Sequence, residues 1–305
     1  MKHEVSNIPA SIQARLQNKA RESGQPFNEL LQYYGMERFL YRLSKTPYVN
    51  DLILKGGLMF YGLGIPMRRT TRDIDFLGIS ENAQKDILSI LRDALSVPCP
   101  EDGVLFDVKT LRLSQTQVEA NHGGIRTTFV GNLGNMRLPI QVDVGFSDEL
   151  ASDVLNMEYP VLLAGMEKPH LKGYPPESII SEKFYAIIRF ADANSRWKDY
   201  YDIFLLTKTF EFDSRSVANA IRSTFDSRPA EIQDQIPYGL RESFAISKQQ
   251  EWEIFLRKSK LSSDSIQDLL VAVNRIWQFL EYPLREIQTG ENLPRKRWLS
   301  ESGWR

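Results

Sequence analysis

Two acidic residues at alternate positions are the part of this sequence best suited to chemistry. Asp73 and Asp75 are separated by Ile74 and followed by Phe76. In a β-strand, successive side chains point to opposite faces, so the two carboxylates share one face and the apolar residues share the other. Carboxylates about 6–7 Å apart on one face repel each other unless a cation neutralises them. Oxygen ligands suit Mg²⁺, so the pattern predicts a magnesium site, with a simply solvated strand face as the alternative.

A third acidic residue follows the same alternation on a later strand. Ile140, Val142 and Val144 predict the buried face of that strand, which places Asp143 on the opposite, open face. If the two strands are neighbours, the three carboxylates converge. Three acidic groups can hold two divalent ions about 3.5–4 Å apart, an arrangement that stabilises the attacking and the leaving oxygen in phosphoryl transfer.

A pair of glycines lies about sixteen residues before the acidic pair. Gly56 and Gly57 follow the apolar run at residues 52–54 and Lys55. Glycine allows backbone N–H groups to approach a phosphate that a Cβ would hold away. A plain tight turn explains the two glycines equally well when they are taken alone. Their spacing from the acidic pair, with an apolar strand on each side, favours phosphate binding.

The elements that must position these residues fall into two groups. Periodicity predicts helices over residues 9–23, 26–45 and 81–96, short strands near 52–54 and 72–77, and a β-rich stretch over 104–146. From about residue 175 the pattern is helical to the end, with helices near 177–192, 196–209, 214–226, 248–258 and 264–281. The predicted fold is α+β, with a mixed-sheet lobe over residues 1–170 and a helical lobe over residues 171–305. Proline and glycine residues between 165 and 176 favour a boundary there.

The amino-acid composition indicates which kinds of binding site this protein can have and in which cellular environment it works. The 305 residues are 42% hydrophobic and 25% charged, which is typical of a globular protein. Because the net charge is −1, any binding of nucleic acid would need a local patch of basic residues. The basic and tryptophan residues of segment 295–305 are one such patch, through phosphate contacts and base stacking, and a solvated tail is the alternative. A single cysteine and the lack of a long apolar run predict no internal disulfide, no membrane span and a cytoplasmic protein.

Four motifs in order resemble a known family. Leu54-Lys55-Gly56-Gly57, followed by Arg69-x-Thr71-x-Asp73-Ile74-Asp75-Phe76, resembles the first motif of the AbiEii/AbiGii toxins, which belong to the DNA polymerase β-like nucleotidyltransferase superfamily. Many members have Ser at the position of Gly57. Residues 140–146 resemble the second motif, Ser181-Glu182-Lys183-x-x-Ala186-x-x-x-Arg189 the third, and Arg196-x-Lys198-Asp199-Tyr200-x-Asp202-Ile203 the fourth. Together the motifs span residues 54–203.

The resemblance implies a Mg²⁺-dependent nucleotidyltransferase that moves a nucleoside monophosphate from an NTP to an acceptor hydroxyl. Asp73, Asp75 and Asp143 would be the catalytic metal ligands. Lys183 would also be catalytic, by offsetting charge on the leaving pyrophosphate, although a surface lysine on an amphipathic helix is the alternative. Asp199 would be either an active-site carboxylate or part of a salt-bridge cluster at a helix start. The residues implied to bind the nucleotide are Gly56, Gly57, Lys183 and Arg189.

The resemblance further implies a bacterial toxin of a toxin–antitoxin or abortive-infection pair that protects against phage. Its partners would be NTP, a separately encoded antitoxin protein and tRNA, whose modified 3′ end would block translation. One alternative is the same fold acting on a protein hydroxyl or a small molecule such as an aminoglycoside. Another is a non-catalytic protein of this fold that serves as an antitoxin or binding partner. The last is an interaction protein whose acidic residues are only solvated.

Overall fold

The computed structural model describes residues 7–66, 71–79, 81–116, 124–146, 154–191, 194–226, 228, 230–232, 235–261 and 266–305. These residues form two compact units, one up to residue 146 and from 154 to 174, and the other from 175 onward. The first is built on a seven-stranded mixed sheet and the second is mainly helical, which confirms the predicted α+β class. A functional boundary at residues 170–171 stays a prediction. No helix among the described residues combines the length and apolar character needed to cross a membrane.

The first unit is a sheet with helices packed against it. Its helices are α1 (Ile8–Ser23), α2 (Phe27–Ser44), α3 (Gly57–Gly62) and α4 (Glu81–Ser96). Its strands are β1 (Leu52–Lys55), β2 (Asp73–Gly78), β3 (Val104–Thr116), β4 (Gly124–Leu133), β5 (Met136–Phe146), β6 (Leu155–Glu158) and β7 (His170–Gly173). They lie in the order β3-β4-β5-β2-β1-β7-β6. The short segment that follows the two glycines, to which the sequence assigned no element, is helix α3.

The central strands β2 and β5 fix which side chains face the core. They run parallel, with Ile74 beside Val142 and Phe76 beside Val144. All four of these side chains are buried. A shift of one residue in either strand would turn this apolar set outward and the acidic set into the core. Hydrophobic burial on one face therefore fixes the position of the carboxylates on the other.

A buried ion pair connects helix α2 to the start of β3. The Arg42 guanidinium donates to both carboxylate oxygens of Asp102, at 2.6 and 3.1 Å, and to the carbonyl of Val104 at 2.8 Å. The backbone N–H of Val104 donates back to Asp102 at 2.9 Å. Arg42 is 2% exposed and Asp102 is 1% exposed. Each charge is thus enclosed with its full set of partners, the condition under which a buried pair is tolerated.

We expect Asp102→Asn to lower the free energy of unfolding by about 3–5 kcal/mol, because a buried guanidinium loses its counter-charge. Denaturant unfolding measures the loss. The matched control is Glu158→Gln, which removes the exposed Lys168–Glu158 pair and should leave stability unchanged within error. Equal losses in the two variants would contradict the prediction.

The second unit contains five α-helices among its described residues, together with a small sheet. The helices are α5 (Pro176–Phe190), α6 (Trp197–Thr209), α7 (Ser214–Asp226), α8 (Glu242–Lys258) and α9 (Leu269–Thr289). The sheet has the order β10-β9-β8 and consists of β8 (Phe212–Asp213), β9 (Arg297–Leu299) and β10 (Gly303–Trp304). The prediction of a helical pattern to the end of the chain is therefore wrong after residue 289. The predicted start of the last helix, at residue 264, lies outside the described residues.

Helix α9 extends beyond its predicted end and continues through a proline. The predicted end is near residue 281, but the helix runs through Pro283 to Thr289. A proline within a helix lacks the N–H that would bond the carbonyl four residues earlier, here that of Phe279. The indole Nε1 of Trp304 donates to this carbonyl at 2.8 Å. A side chain from the C-terminal hairpin thus replaces the missing donor, and the helix is not interrupted.

The segment at residues 295–305 is an ordered part of the second unit. Strand β9 pairs with both β8 and β10, so the solvated-tail alternative is wrong. Trp298 is 2% exposed, packs edge-on against Phe279 with 5.0 Å between ring centroids, and donates its Nε1 to the Thr207 carbonyl. A ring enclosed in this way has no free face for a nucleic-acid base. The prediction of base stacking is therefore wrong for Trp298.

Candidate active site

The three acidic residues singled out from the sequence lie together on the open face of the sheet. Asp75 and Asp143 are direct neighbours across the parallel β2–β5 pair, and Asp73 precedes Asp75 by two residues on the same face. One carboxylate oxygen from each residue lies within 4.8 Å of the others. All three residues are partly exposed. The carboxylates thus converge, as the alternation in the two strands indicates, and their role as metal ligands stays a prediction.

The donor set fits a hard divalent cation. All three side chains offer carboxylate oxygens, and Mg²⁺ prefers one or two carboxylates together with water and substrate phosphates. Three carboxylates this close together repel one another, and a bound dication would offset that repulsion. Because the carboxylates are partly exposed, a phosphate-bearing ligand can complete the coordination. Asp73, Asp75 and Asp143 are therefore the residues that would hold Mg²⁺.

A basic residue that the sequence reasoning missed contacts this acidic group. Arg126 donates from Nε and Nη2 to the two carboxylate oxygens of Asp143, each at 2.8 Å. Gln141 donates from Nε2 to the same carboxylate at 3.1 Å. The hydrogen bond with Asp143 is the main reason that the pKa of Arg126 is raised, and the charges of Asp73 and Asp75 add to the effect. Arg126 therefore lies in the electrostatic field of all three acids.

The sequence held a signal for Arg126. A two-residue loop of Gly134 and Asn135 joins β4 to β5, and a loop of this length fixes the register of the hairpin. Leu133 pairs with Met136 on either side of the loop. Counting outward from this pair places Arg126 directly opposite Asp143, as observed. Alternation within a single strand does not specify which residue lies opposite on the neighbouring strand, so it does not by itself indicate Arg126.

The first of the two glycines has a backbone conformation and surroundings that exclude a side chain. Gly56 has φ +69° and ψ −151°, a region that residues with a Cβ rarely adopt. A Cβ at this position would overlap Oδ2 of Asp75 and lie 2.7 Å from its Cγ. The turn between β1 and α3 can therefore lie directly against a carboxylate of the acidic group only because residue 56 is glycine.

The second glycine leaves space that a threonine occupies. A Cβ on Gly57 would overlap the hydroxyl oxygen of Thr71 and lie 3.0 Å from its methyl carbon. The Thr71 side chain thus fills the place that a serine at position 57 would take, which gives a physical reason for glycine in this chain. Arg69, part of the same motif, lies outside the described residues.

We expect Gly56→Ala to destabilise the first unit by about 2 kcal/mol or more and to weaken Mn²⁺ binding, because the new Cβ strains the backbone and displaces Asp75. Gly64→Ala is the control, since Gly64 also has a positive φ of +80° but nothing lies within 4 Å of its Cβ position. It should lose only about 1 kcal/mol from the backbone conformation. Thermal unfolding and Mn²⁺ titration measure both variants, and equal behaviour would contradict the role assigned to Gly56.

Two candidate residues in the second unit belong to one ion-pair cluster. The Lys183 ammonium on α5 contacts Asp199 at 2.8 Å and Asp202 at 2.7 Å, both on α6. Arg196 adds a contact to Asp199 at 2.7 Å. Burial alone would raise the pKa of Asp199, but Lys183 and Arg196 together lower it below its ordinary value. Asp199 is therefore held as a carboxylate, and the cluster joins two helices within this unit.

The remaining candidate, Arg189, is exposed near the end of α5. Its guanidinium carbon lies 5.6 Å from the centroid of the Phe190 ring. The structure thus groups Lys183 with Asp199, and it separately groups Asp73, Asp75 and Asp143.

Comparison with solved structures gives two low-scoring matches. JHP933 from Helicobacter pylori is 14% identical, with 86% of this chain and 94% of that chain covered and a TM-score of 0.47. A second H. pylori crystal structure, described provisionally as a nucleotidyltransferase, is 15% identical, with 87% and 99% covered and a TM-score of 0.46. These values are too low to indicate a shared activity. No curated protein matches the sequence significantly.

A family model gives the decisive match. Residues 38–281 match the family described as nucleotidyl transferase AbiEii toxin, type IV TA system. This segment contains the two glycines, the three converging carboxylates and the Lys183–Asp199 cluster, and it covers most of the chain. The chain therefore belongs to the AbiEii family of nucleotidyltransferase toxins of type IV toxin–antitoxin systems.

Proposed function

We propose that this protein transfers a nucleoside monophosphate from an NTP to the 3′-terminal hydroxyl of tRNA in a Mg²⁺-dependent reaction, and so blocks translation. The observation that carries the proposal is the convergence of Asp73, Asp75 and Asp143 within 4.8 Å on an open sheet face, in a member of a nucleotidyltransferase family. Arg126 offsets part of the repulsion among these carboxylates through its pair with Asp143, and a bound dication would offset the rest.

The reaction requires little covalent chemistry from the protein. The acceptor hydroxyl oxygen forms a bond to the α-phosphorus, the bond from that phosphorus to the bridging oxygen breaks, pyrophosphate leaves, and the hydroxyl proton passes to solvent. Bound at Asp73, Asp75 and Asp143, Mg²⁺ would neutralise phosphate charge and lower the pKa of the acceptor hydroxyl. Gly56 and Gly57 would let the backbone approach a phosphate closely. Catalysis of this kind depends mainly on positioning and charge neutralisation.

In the second unit, the residues that match the family motifs would bind the nucleotide or position a group that does. Lys183 would offset the charge on the leaving pyrophosphate, as a compact cation. Asp199 would position the Lys183 ammonium, since it holds that group at 2.8 Å and is itself only 1% exposed. Arg189 would provide a second, exposed cation for the triphosphate. A cognate antitoxin protein would restrain the activity in the cytoplasm, where NTPs and tRNA are both available.

The test uses two radioactive labels and two forms of tRNA. The protein is incubated with total tRNA and each NTP in turn, labelled at the α-phosphate or at the γ-phosphate, with and without Mg²⁺. We expect label in tRNA from the α-position alone, only with Mg²⁺, and none with Asp73→Asn. Periodate-oxidised tRNA, which lacks an intact 3′-terminal diol, should accept no label.

The outcomes separate the alternatives. Label in the 3′ terminal fragment of intact tRNA supports the proposal. Label in protein, or in an added aminoglycoside, would show that the acceptor hydroxyl belongs to that molecule and not to tRNA. Incorporation from the γ-phosphate would overturn nucleotidyl transfer itself, because only a phosphoryl group would then have moved.

A further inference from the structure

The Asp143 carboxylate is already hydrogen-bonded by protein donors, although the proposed metal site requires its oxygens as ligands. Both of its oxygens already accept hydrogen bonds from Arg126, and one also accepts from Gln141. A carboxylate has about four lone-pair positions, so three are in use. The residue that completes the acidic group is thus also the one most fully engaged by protein donors.

Arg126 and a divalent cation are electrostatic competitors for this carboxylate. A cation on an Asp143 oxygen, at the usual bond length of about 2.1 Å, would lie within about 5 Å of the guanidinium nitrogen that bonds the same oxygen at 2.8 Å. Two positive groups at that distance repel each other. The charge that stabilises Asp143 in the metal-free protein therefore opposes metal binding.

Exposure indicates that the Arg126–Asp143 pair can open. The Arg126 side chain is 42% exposed and that of Asp143 is 23% exposed. The pair of Arg42 and Asp102 in the same unit is also bidentate, through Nη1 and Nη2, but its side chains are only 3% and 1% exposed. A guanidinium at the surface can turn into water at little cost, whereas an enclosed one cannot.

We propose that Arg126 is a displaceable counter-ion, which holds Asp143 in the metal-free protein and releases it when a divalent cation binds. The inference rests on the proposed metal site. Arg126 is then a positioning residue, because it acts through Asp143. Its presence keeps the acidic group ordered without metal and limits the affinity for the cation.

Mn²⁺ binding to the purified protein tests this directly. Titration calorimetry, with free Mn²⁺ counted by electron paramagnetic resonance, gives affinities without any catalytic turnover. We expect Arg126→Gln to bind Mn²⁺ about tenfold more tightly than wild type, since a nearby unit charge is removed. The same variant should unfold at a lower temperature without metal and gain more in unfolding temperature from saturating Mn²⁺.

Two further variants separate charge from shape and from general effects. Arg126→Lys keeps the positive charge and should bind Mn²⁺ with nearly wild-type affinity. Arg112→Gln removes an arginine from the same sheet whose guanidinium donates to the carbonyls of Lys109 and Leu111, and it should leave the affinity unchanged. Circular dichroism verifies that each variant is folded before titration.

The outcomes distinguish this inference from the proposed function. If wild type binds Mn²⁺, Asp73→Asn abolishes the binding, and Arg126→Gln binds no more tightly, the counter-ion role is overturned and the metal site stands. If Asp73→Asn binds Mn²⁺ like wild type, the metal site falls, and the inference falls with it.

Discussion

Asp73→Asn is expected to reduce nucleotidyl transfer by about 10³-fold or more while leaving the protein at least as stable as wild type. The substitution keeps the shape of the side chain and removes one of three charges that lie within 4.8 Å of one another. Catalysis loses a ligand for the cation that stabilises the transferring phosphoryl group. The fold is relieved of repulsion from two nearby carboxylates and loses only the weaker attraction to Arg126, so the unfolding temperature should stay the same or rise.

Asp107→Asn is the control for this prediction. Asp107 is an exposed acid on β3, in the same sheet, and its side chain accepts a hydrogen bond from the Lys109 N–H that asparagine can also accept. Transfer rate and thermal unfolding are measured for both variants. An Asp73→Asn protein that keeps more than a tenth of the activity, or that loses stability, would contradict the role of Asp73 as a metal ligand.

Lys183→Met is expected to lower the free energy of unfolding by about 3 kcal/mol or more. Methionine keeps most of the apolar stem, but the cation shared by Asp199 and Asp202 is lost. These two carboxylates are each 1% exposed, and removing one partner from a buried ionic cluster leaves charge that solvent cannot reach. A lysine that contacts only substrate would show no such loss. Chemical denaturation of the metal-free protein measures the difference.

Lys198→Met provides the comparison within the same family motif. Lys198 is exposed on α6, so its loss should change stability by less than about 1 kcal/mol. The double variant Lys183→Met with Asp199→Asn completes a double-mutant cycle. Its loss of unfolding free energy should be smaller than the sum of the two single losses, because the two charges are removed together. If Lys183→Met were as stable as wild type, the ion-pair cluster would not stabilise the fold, and Lys183 would act only on the nucleotide.

The three carboxylates and the Lys183–Asp199 pair need different measurements to separate a catalytic from a structural role. The first prediction concerns three carboxylates that repel one another, and under the proposed function a bound cation is the reason for their proximity. The second concerns a lysine and an aspartate that stabilise each other, so that loss of activity alone would not separate a catalytic role from a structural one. Stability therefore has to be measured beside activity for Lys183 and Asp199, whereas activity alone is informative for Asp73.

The sequence by itself determined the local features of this protein. Alternation in two strands placed Asp73, Asp75 and Asp143 on open faces, because side chains in a strand have a period of two. Helical periodicity located most of the helices, and the motif order indicated the family. The hairpin loop at Gly134 and Asn135 also contained the register that places Arg126 opposite Asp143, although both strands of the hairpin had to be considered together.

Only the tertiary structure decided which distant segments meet. The parallel pairing of β2 with β5 brings Asp75 beside Asp143, and the packing of α5 on α6 brings Lys183 to Asp202. Trp304 allows α9 to pass Pro283 because its indole reaches the Phe279 carbonyl from the C-terminal hairpin. Periods of 2 and 3.6 residues describe one element at a time, whereas contacts between elements depend on how the whole chain closes its loops and buries its apolar faces.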